Sequence, residues 1–174
     1  MIKILFFDAD GTLWYPKKTK RESNPKWIHR DTTIHDVRKH LMLAPDVFST
    51  LSKLKKTNIK LVVLSVSPLP AKKAKERLVN NLNHFKILKF FDNVYATQVY
   101  VESKGEHILK ILKRYHLKKS EALMIGDIYA WDFSSASKVG VKCFLFEHRY
   151  DPQPHQYNKV KTKLKDFKDI LKIV

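Results

Sequence analysis

Glycine is scarce in this chain: there are four in 174 residues, where average usage of about 7% would supply roughly twelve. A collagen-like or flexible low-complexity polypeptide is excluded, and the few glycines become markers. Gly11 follows an aspartate pair, Gly105 follows Lys104, Gly126 precedes Asp127, and Gly140 precedes an apolar run. Cysteine is nearly absent as well. Cys143 has no partner for an internal disulfide, and its place in VKCFLF marks it as a small core hydrophobe. No stretch approaches the roughly 18 apolar residues of a membrane span, and the opening MIKILFF meets Asp8 too soon for a signal-peptide core. A cytoplasmic protein with no membrane partner is expected. Acidic residues are also few, 17 against 34 Lys and Arg, which leaves a formal net charge of +17. Such an excess draws anionic partners: nucleic acid, acidic proteins or phosphorylated metabolites. Lysines in KLKK (53–56) and KKAK (72–75) equally suit the solvated faces of helices.

What is present suffices for a core. The chain is 44% hydrophobic and 11% aromatic, so one domain over residues 1–174 is expected. Short, nearly continuous apolar runs alternate with helical periodicity, which predicts an α/β fold with a mostly parallel sheet buried under helices. The candidate strands are IKILFF (2–7), KLVVLSV (60–66), ALMIG (122–126) and VKCFLF (141–146), with a weaker one at NVYATQV (93–99). Apolar spacing predicts helices through Val47, Leu51 and Leu54, through Ala74, Leu78 and Leu82, and through Ile108, Ile111 and Leu112. A last amphipathic stretch (Val160, Leu164, Phe167, Leu171, Val174) reads as a core-facing helix. Residues 15–44 break the alternation. They are polar and basic, long for a plain connection, and are expected to form a short flap inserted into the domain.

In an open parallel sheet, ligands gather at the carboxyl ends of the strands. Here those ends carry Asp8 and Asp10, Ser65, and Gly126 with Asp127, while Asp132 lies just beyond. Ser103 and Glu106 have capping-box spacing, which places Lys104 in the first turn of a helix. Alternate residues of a strand point to opposite sides, so Asp8 and Asp10 can share a site only if the chain bends after Asp8. Gly11 supplies the backbone freedom for that bend. His148 and His155 flank a DPQP turn with no neighbouring ligand cluster, and are expected at the surface.

In order along the chain stand DADGT (8–12), the serine of LVVLS (Ser65), Lys104, and GDIYAWD with Asp127 and Asp132. This set resembles the four motifs of the haloacid dehalogenase (HAD) superfamily of phosphotransferases, over nearly the whole chain. Within it the chain is most similar to the magnesium-dependent phosphatase group, through Trp14 after the first motif, APDV (44–47), FKILKFFDNVYAT (85–97) and ASKVGVKC (136–143). It differs in having Val66 where that group often carries an arginine. The resemblance implies a Rossmann-like core with helices on both faces and a minimal cap or none. It also implies hydrolysis of phosphate monoesters, such as phosphotyrosine or sugar phosphates, through an aspartyl-phosphate. Asp8 would be the nucleophile. Asp8, Asp127 and the Asp10 carbonyl would hold Mg²⁺, and the Asp10 side chain would be acid and base. Ser65, Thr12 and Lys104 would bind the phosphate, and Asp132 would orient Lys104 or metal-bound water from behind.

The ion suits the donors, because an oxygen-only set of one or two carboxylates favours a hard cation such as Mg²⁺. Two other functions remain open at this point. A nucleic-acid 3′-phosphatase is suggested by the +17 charge and by Trp14, Tyr15 and Trp27 among basic residues. A receiver-like phospho-acceptor module also gathers aspartates, Ser and Lys at strand ends, but it accepts phosphate on a middle strand, and LVVLSV ends without an aspartate.

Overall fold

Ile4, Leu5, Phe6 and Phe7 are all fully buried, as a strand covered on both faces must be. In the computed structural model, which describes residues 1–98 and 101–174, they form β1 (Ile4–Phe7). The chain continues through β2 (Trp14–Pro16), β3 (Leu41–Leu43), α1 (Val47–Leu54), β4 (Lys60–Ser67) and α2 (Ala71–His84). Then come β5 (Asn93–Gln98), α3 (Lys104–Tyr115), β6 (Ala122–Gly126), α4 (Ser135–Lys138), β7 (Lys142–Phe146), α5 (Pro154–Lys159) and β8 (Lys163–Leu164). Six strands make one sheet in the order β5-β4-β1-β6-β7-β8, with every pairing parallel. Phe7 stands level with Val63 on one side and Ile125 on the other, so Asp8, Ser65 and Asp127 emerge at the same edge.

The alternation of side chains sorts the core into two layers. Leu5, Phe7, Val63 and Ile125 meet α1 and α2 through Leu51, Leu54, Leu78 and Leu82. Ile4, Phe6, Val62 and Met124 meet α3 and α4 through Ile108, Ile111, Leu112 and Ala136. Helices therefore cover both faces, and the three predicted helices present the predicted residues. Cys143 is buried in the second layer. The predicted strand at 93–99 appears as β5 to Gln98, and Val99 lies outside the described residues. Among the described residues, no helix is long and apolar enough to cross a membrane.

Two expectations change. The helix expected from Val160 onward is instead β8 followed by a 3₁₀ turn at Phe167–Lys172. Open-edge pairing wins here: the Leu145 N–H donates to Thr162 O at 3.0 Å and the Glu147 N–H to Leu164 O at 2.9 Å, which satisfies backbone groups a helix would leave bare at the sheet edge. Phe167 still reaches the core, stacked on Phe146 at 5.6 Å.

The flap is more ordered than its composition suggests. Its ends pair as antiparallel β2 and β3, two 3₁₀ turns lie between them, and Ile28 and Leu41 are buried. The Arg21 guanidinium sits 4.3 Å from the Phe146 ring centre and the Trp27 indole donates to Thr19 Oγ1 at 3.0 Å, which holds the segment down. Trp14 is fully buried and Tyr15 nearly so. Their rings are core, and they do not form the exposed stacking platform considered from the sequence.

Candidate active site

β1 continues for one bond beyond Phe7, with the Asp8 N–H donating to Ile125 O at 2.9 Å, and then the chain turns sharply. The Leu13 N–H reaches back to Ala9 O at 2.8 Å and the Gly11 N–H to Trp14 O at 2.7 Å. Gly11 adopts φ +87°, and a Cβ there would overlap the Asp127 carboxylate and lie 2.6 Å from the Tyr150 hydroxyl. Both the conformation and the space demand glycine. The turn buries Ala9 and brings Asp8 and Asp10 onto one cavity, as the bend inferred from the sequence requires.

Lys104 enters from α3. The Ser103 hydroxyl accepts from the Glu106 N–H at 3.2 Å and the Ser103 N–H donates to Glu106 Oε2 at 2.9 Å, a capping box that fixes the first turn. The Lys104 side chain is 2% exposed, and its Nζ is 2.5 Å from both Asp8 Oδ1 and Asp132 Oδ1. The other oxygen of Asp132 accepts the N–H groups of Asp127 and Ile128 at 3.0 and 2.9 Å. A wide π-type turn at Tyr129–Ser134 folds Asp132 back over the end of β6. A Cβ at Gly126 would overlap its carboxylate.

Asp8, Asp127 and Asp132 present carboxylate oxygens that all lie within 4.8 Å of one another. Three acids face one ammonium. Burial pushes the Asp8 carboxyl up and outweighs its ion pair with Lys104. Burial and the charges of Asp8 and Asp132 push Asp127 well above the usual carboxylate range. Lys104 is held above the ordinary lysine value because the charges of Asp132 and Asp8 overcome its burial. Fully ionised, the cluster lacks two positive charges, and its donors are hard oxygens. Both Asp132 oxygens are already committed. The donor set therefore fits a divalent cation such as Mg²⁺ held through Asp8 and Asp127.

Asp10 has different surroundings. Its Oδ1 accepts from the Trp14 indole at 2.7 Å. His29 Nε2 lies 3.4 Å from Oδ2, too poorly aligned for a hydrogen bond, and has no other partner among the described residues. Burial raises the Asp10 carboxyl, but His29, Arg77 and Trp14 together bring it down to about 2. Ser65 lines the cavity beside Val66, and the flap contributes Asn24, Pro25 and Lys26 to the same wall. Lys26 Nζ stands 5.7 Å from the ring centre of Trp131 at the rim.

Six of the residues singled out in the sequence thus meet at one place: Asp8, Asp10, Ser65, Lys104, Asp127 and Asp132. Thr12 does not line it. Its buried hydroxyl is turned toward Asp127 Oδ1 at 3.4 Å. His155 is exposed, but His148 is not at the surface: its side chain is fully buried, with Nε2 2.6 Å from Asp127 O. Sequence reasoning also missed His29 and Tyr150. HRYD follows β7, and the strand-end rule that identified the other residues would have found its loop.

A family model described as haloacid dehalogenase-like hydrolase matches residues 8–146. No curated protein matches the chain. Solved structures do. A haloacid dehalogenase-like family hydrolase from Streptococcus pneumoniae superposes with a TM-score of 0.73 at 18% identity, over 99% of this chain and 98% of the other. A predicted phosphoglycolate phosphatase from Haemophilus somnus gives 0.71 at 19% identity, over 99% and 97%. A predicted phosphatase from Clostridium acetobutylicum gives 0.71 at 17%, over 99% and 98%. At such identities the likeness is one of fold.

Proposed function

The chain belongs to the haloacid dehalogenase-like hydrolases, and from that premise we propose that it is a Mg²⁺-dependent phosphatase acting on phosphate monoesters through a phosphorylated Asp8. The observation that carries this is the buried convergence of Asp8, Asp127 and Asp132 on Lys104. The phosphatase names of structures sharing the fold agree with it.

The difficulty in the reaction is electrostatic. A carboxylate approaching a phosphate dianion meets repulsion of about 4 kcal/mol per pair of unit charges near 4 Å at an effective dielectric of 20, which left standing slows attack about a thousandfold. The bound cation would neutralise charge on the phosphate and on Asp8, held by the Asp8 and Asp127 carboxylates and the Asp10 carbonyl. Lys104 adds a fixed positive charge, and Asp132 keeps its ammonium aimed at Asp8. Asp8 attacks phosphorus, the ester P–O bond breaks, and Asp10 gives its proton to the departing oxygen. Water then attacks the phosphoryl group, Asp10 takes the proton, and the Asp8–phosphorus bond breaks. Ser65, at the cavity wall, donates to a phosphate oxygen.

In the free protein Asp10 is held ionised, near 2. That form is ready to take the proton of the attacking water in the second step, while the first step needs Asp10 protonated. The rim pair of Lys26 and Trp131 suits the leaving group of a sugar phosphate or phosphotyrosine. The decisive experiment is Mg²⁺-dependent release of phosphate from p-nitrophenyl phosphate. Asp8→Asn is expected to abolish it, and turnover retained in that variant would reject the proposal.

A further inference from the structure

Tyr150 and His148 have no part in the chemistry above, yet both contact Asp127. The Tyr150 hydroxyl donates to Asp127 Oδ2 at 2.7 Å, and His148 Nε2 reaches the Asp127 main-chain oxygen at 2.6 Å. The histidine tautomer follows from its partners. The Tyr150 N–H donates to His148 Nδ1 at 3.1 Å, so Nδ1 is the acceptor and Nε2 carries the hydrogen given to Asp127. The two rings stack at 3.8 Å and 23°.

The loop beneath them is fixed in turn. The His148 N–H donates to the Tyr157 hydroxyl at 3.0 Å, and that hydroxyl donates to Phe146 O at 2.9 Å. At the far end Asp151 accepts from the Tyr129 N–H at 2.7 Å and the Gln153 N–H at 2.8 Å. A buried network with its donors and acceptors matched holds one geometry.

We propose that Tyr150, seated on His148, is a positioning residue for the Asp127 carboxylate and thereby sets the protein's affinity for its divalent cation. The proposal rests on the metal centre described under the proposed function. A carboxylate at a strand end otherwise rotates, and binding a cation must then freeze it. With Oδ2 held by the phenol, Oδ1 is left, among the described residues, with only the long 3.4 Å contact from Thr12 and is presented in one orientation. Outer partners of this kind are typically worth roughly 10–100-fold in metal affinity. If the phenol instead blocked the cation, its removal would tighten binding. The sign of the change therefore decides.

The test is titration of the full chain with Mg²⁺ by calorimetry and with Mn²⁺ by electron paramagnetic resonance, for wild type and Tyr150→Phe, which keeps the stacked ring. The expected result is a Kd weakened roughly 10–100-fold, read well below the unfolding midpoint, which itself falls somewhat in EDTA because the buried Asp127 oxygen loses its donor. His148→Gln keeps a donor for the Asp127 carbonyl but removes the ring under Tyr150, and is expected to weaken binding in the same direction. Unchanged or tighter binding in Tyr150→Phe overturns the proposal, as does a lowered midpoint in EDTA with the affinity intact. Asp127→Asn separates the two levels: binding as tight as wild type in that variant would remove the metal centre itself, whatever Tyr150 does.

Discussion

At the scale of single residues, carboxylates are costly to bury, and this site buries three beside one ammonium. Asp8 and Asp127 are held above the ordinary carboxylate value by burial and by neighbouring acids. The folded chain then binds their protons more tightly than the unfolded chain does. The stability they contribute is present below the ordinary value and is lost as pH rises through the raised one. The thermal midpoint of EDTA-treated protein should therefore rise as pH is lowered from neutral toward about 5. Adding Mg²⁺ at neutral pH should raise that midpoint, since the ion replaces the missing charge. A midpoint in EDTA that falls steadily with acidification, and ignores Mg²⁺ at neutral pH, would contradict this. Asp8, Asp10, Ser65, Asp127 and Asp132 were legible in the sequence because each sits at or just after the end of an apolar strand. His29 was not, because it matters through its distance to Asp10, and for Tyr150 the strand-end rule marks the loop but not the contact with Asp127. Thr12 was legible only as part of its motif, and the turn at Gly11 decides which way its hydroxyl faces.

At the scale of elements, the best-read piece was the start of α3. A serine and a glutamate three apart announced a capping box, and both of its hydrogen bonds are present. Removing it by Ser103→Ala should cost about 1 kcal/mol, read from chemical denaturation. Because Lys104 is the first residue of that helix, phosphatase activity should fall further than the stability loss alone explains. Full activity with the expected loss of stability would show that Lys104 is held in place by Asp8 and Asp132 without the cap. The carboxyl-terminal stretch is the least legible in the sequence. Its apolar spacing has a helical period, but β7 had an open edge, and pairing with that edge outweighed periodicity. The flap was also under-read, since polar composition hid the few apolar residues, Ile28 and Leu41 among them, that anchor it.

At the scale of the whole molecule, the net charge of +17 attracts polyanions, and of the three rings considered for stacking Trp14 and Tyr15 lie in the core while Trp27 is half-buried. Single-stranded oligonucleotides should bind weakly at low salt, lose affinity steeply as salt rises, and be indifferent to Trp27→Ala. Binding that persists at high salt and falls in that variant would restore the aromatic reading. The parallel order of the strands does something more specific: it brings residues separated by more than a hundred positions, Asp8 and Asp127, to one edge of the sheet. Diffraction from crystals soaked in Mn²⁺ tests that convergence most directly. A single anomalous peak bonded to the carboxylates of both Asp8 and Asp127 is predicted, and carboxylates standing too far apart to share one ion, with no peak between them, would contradict it.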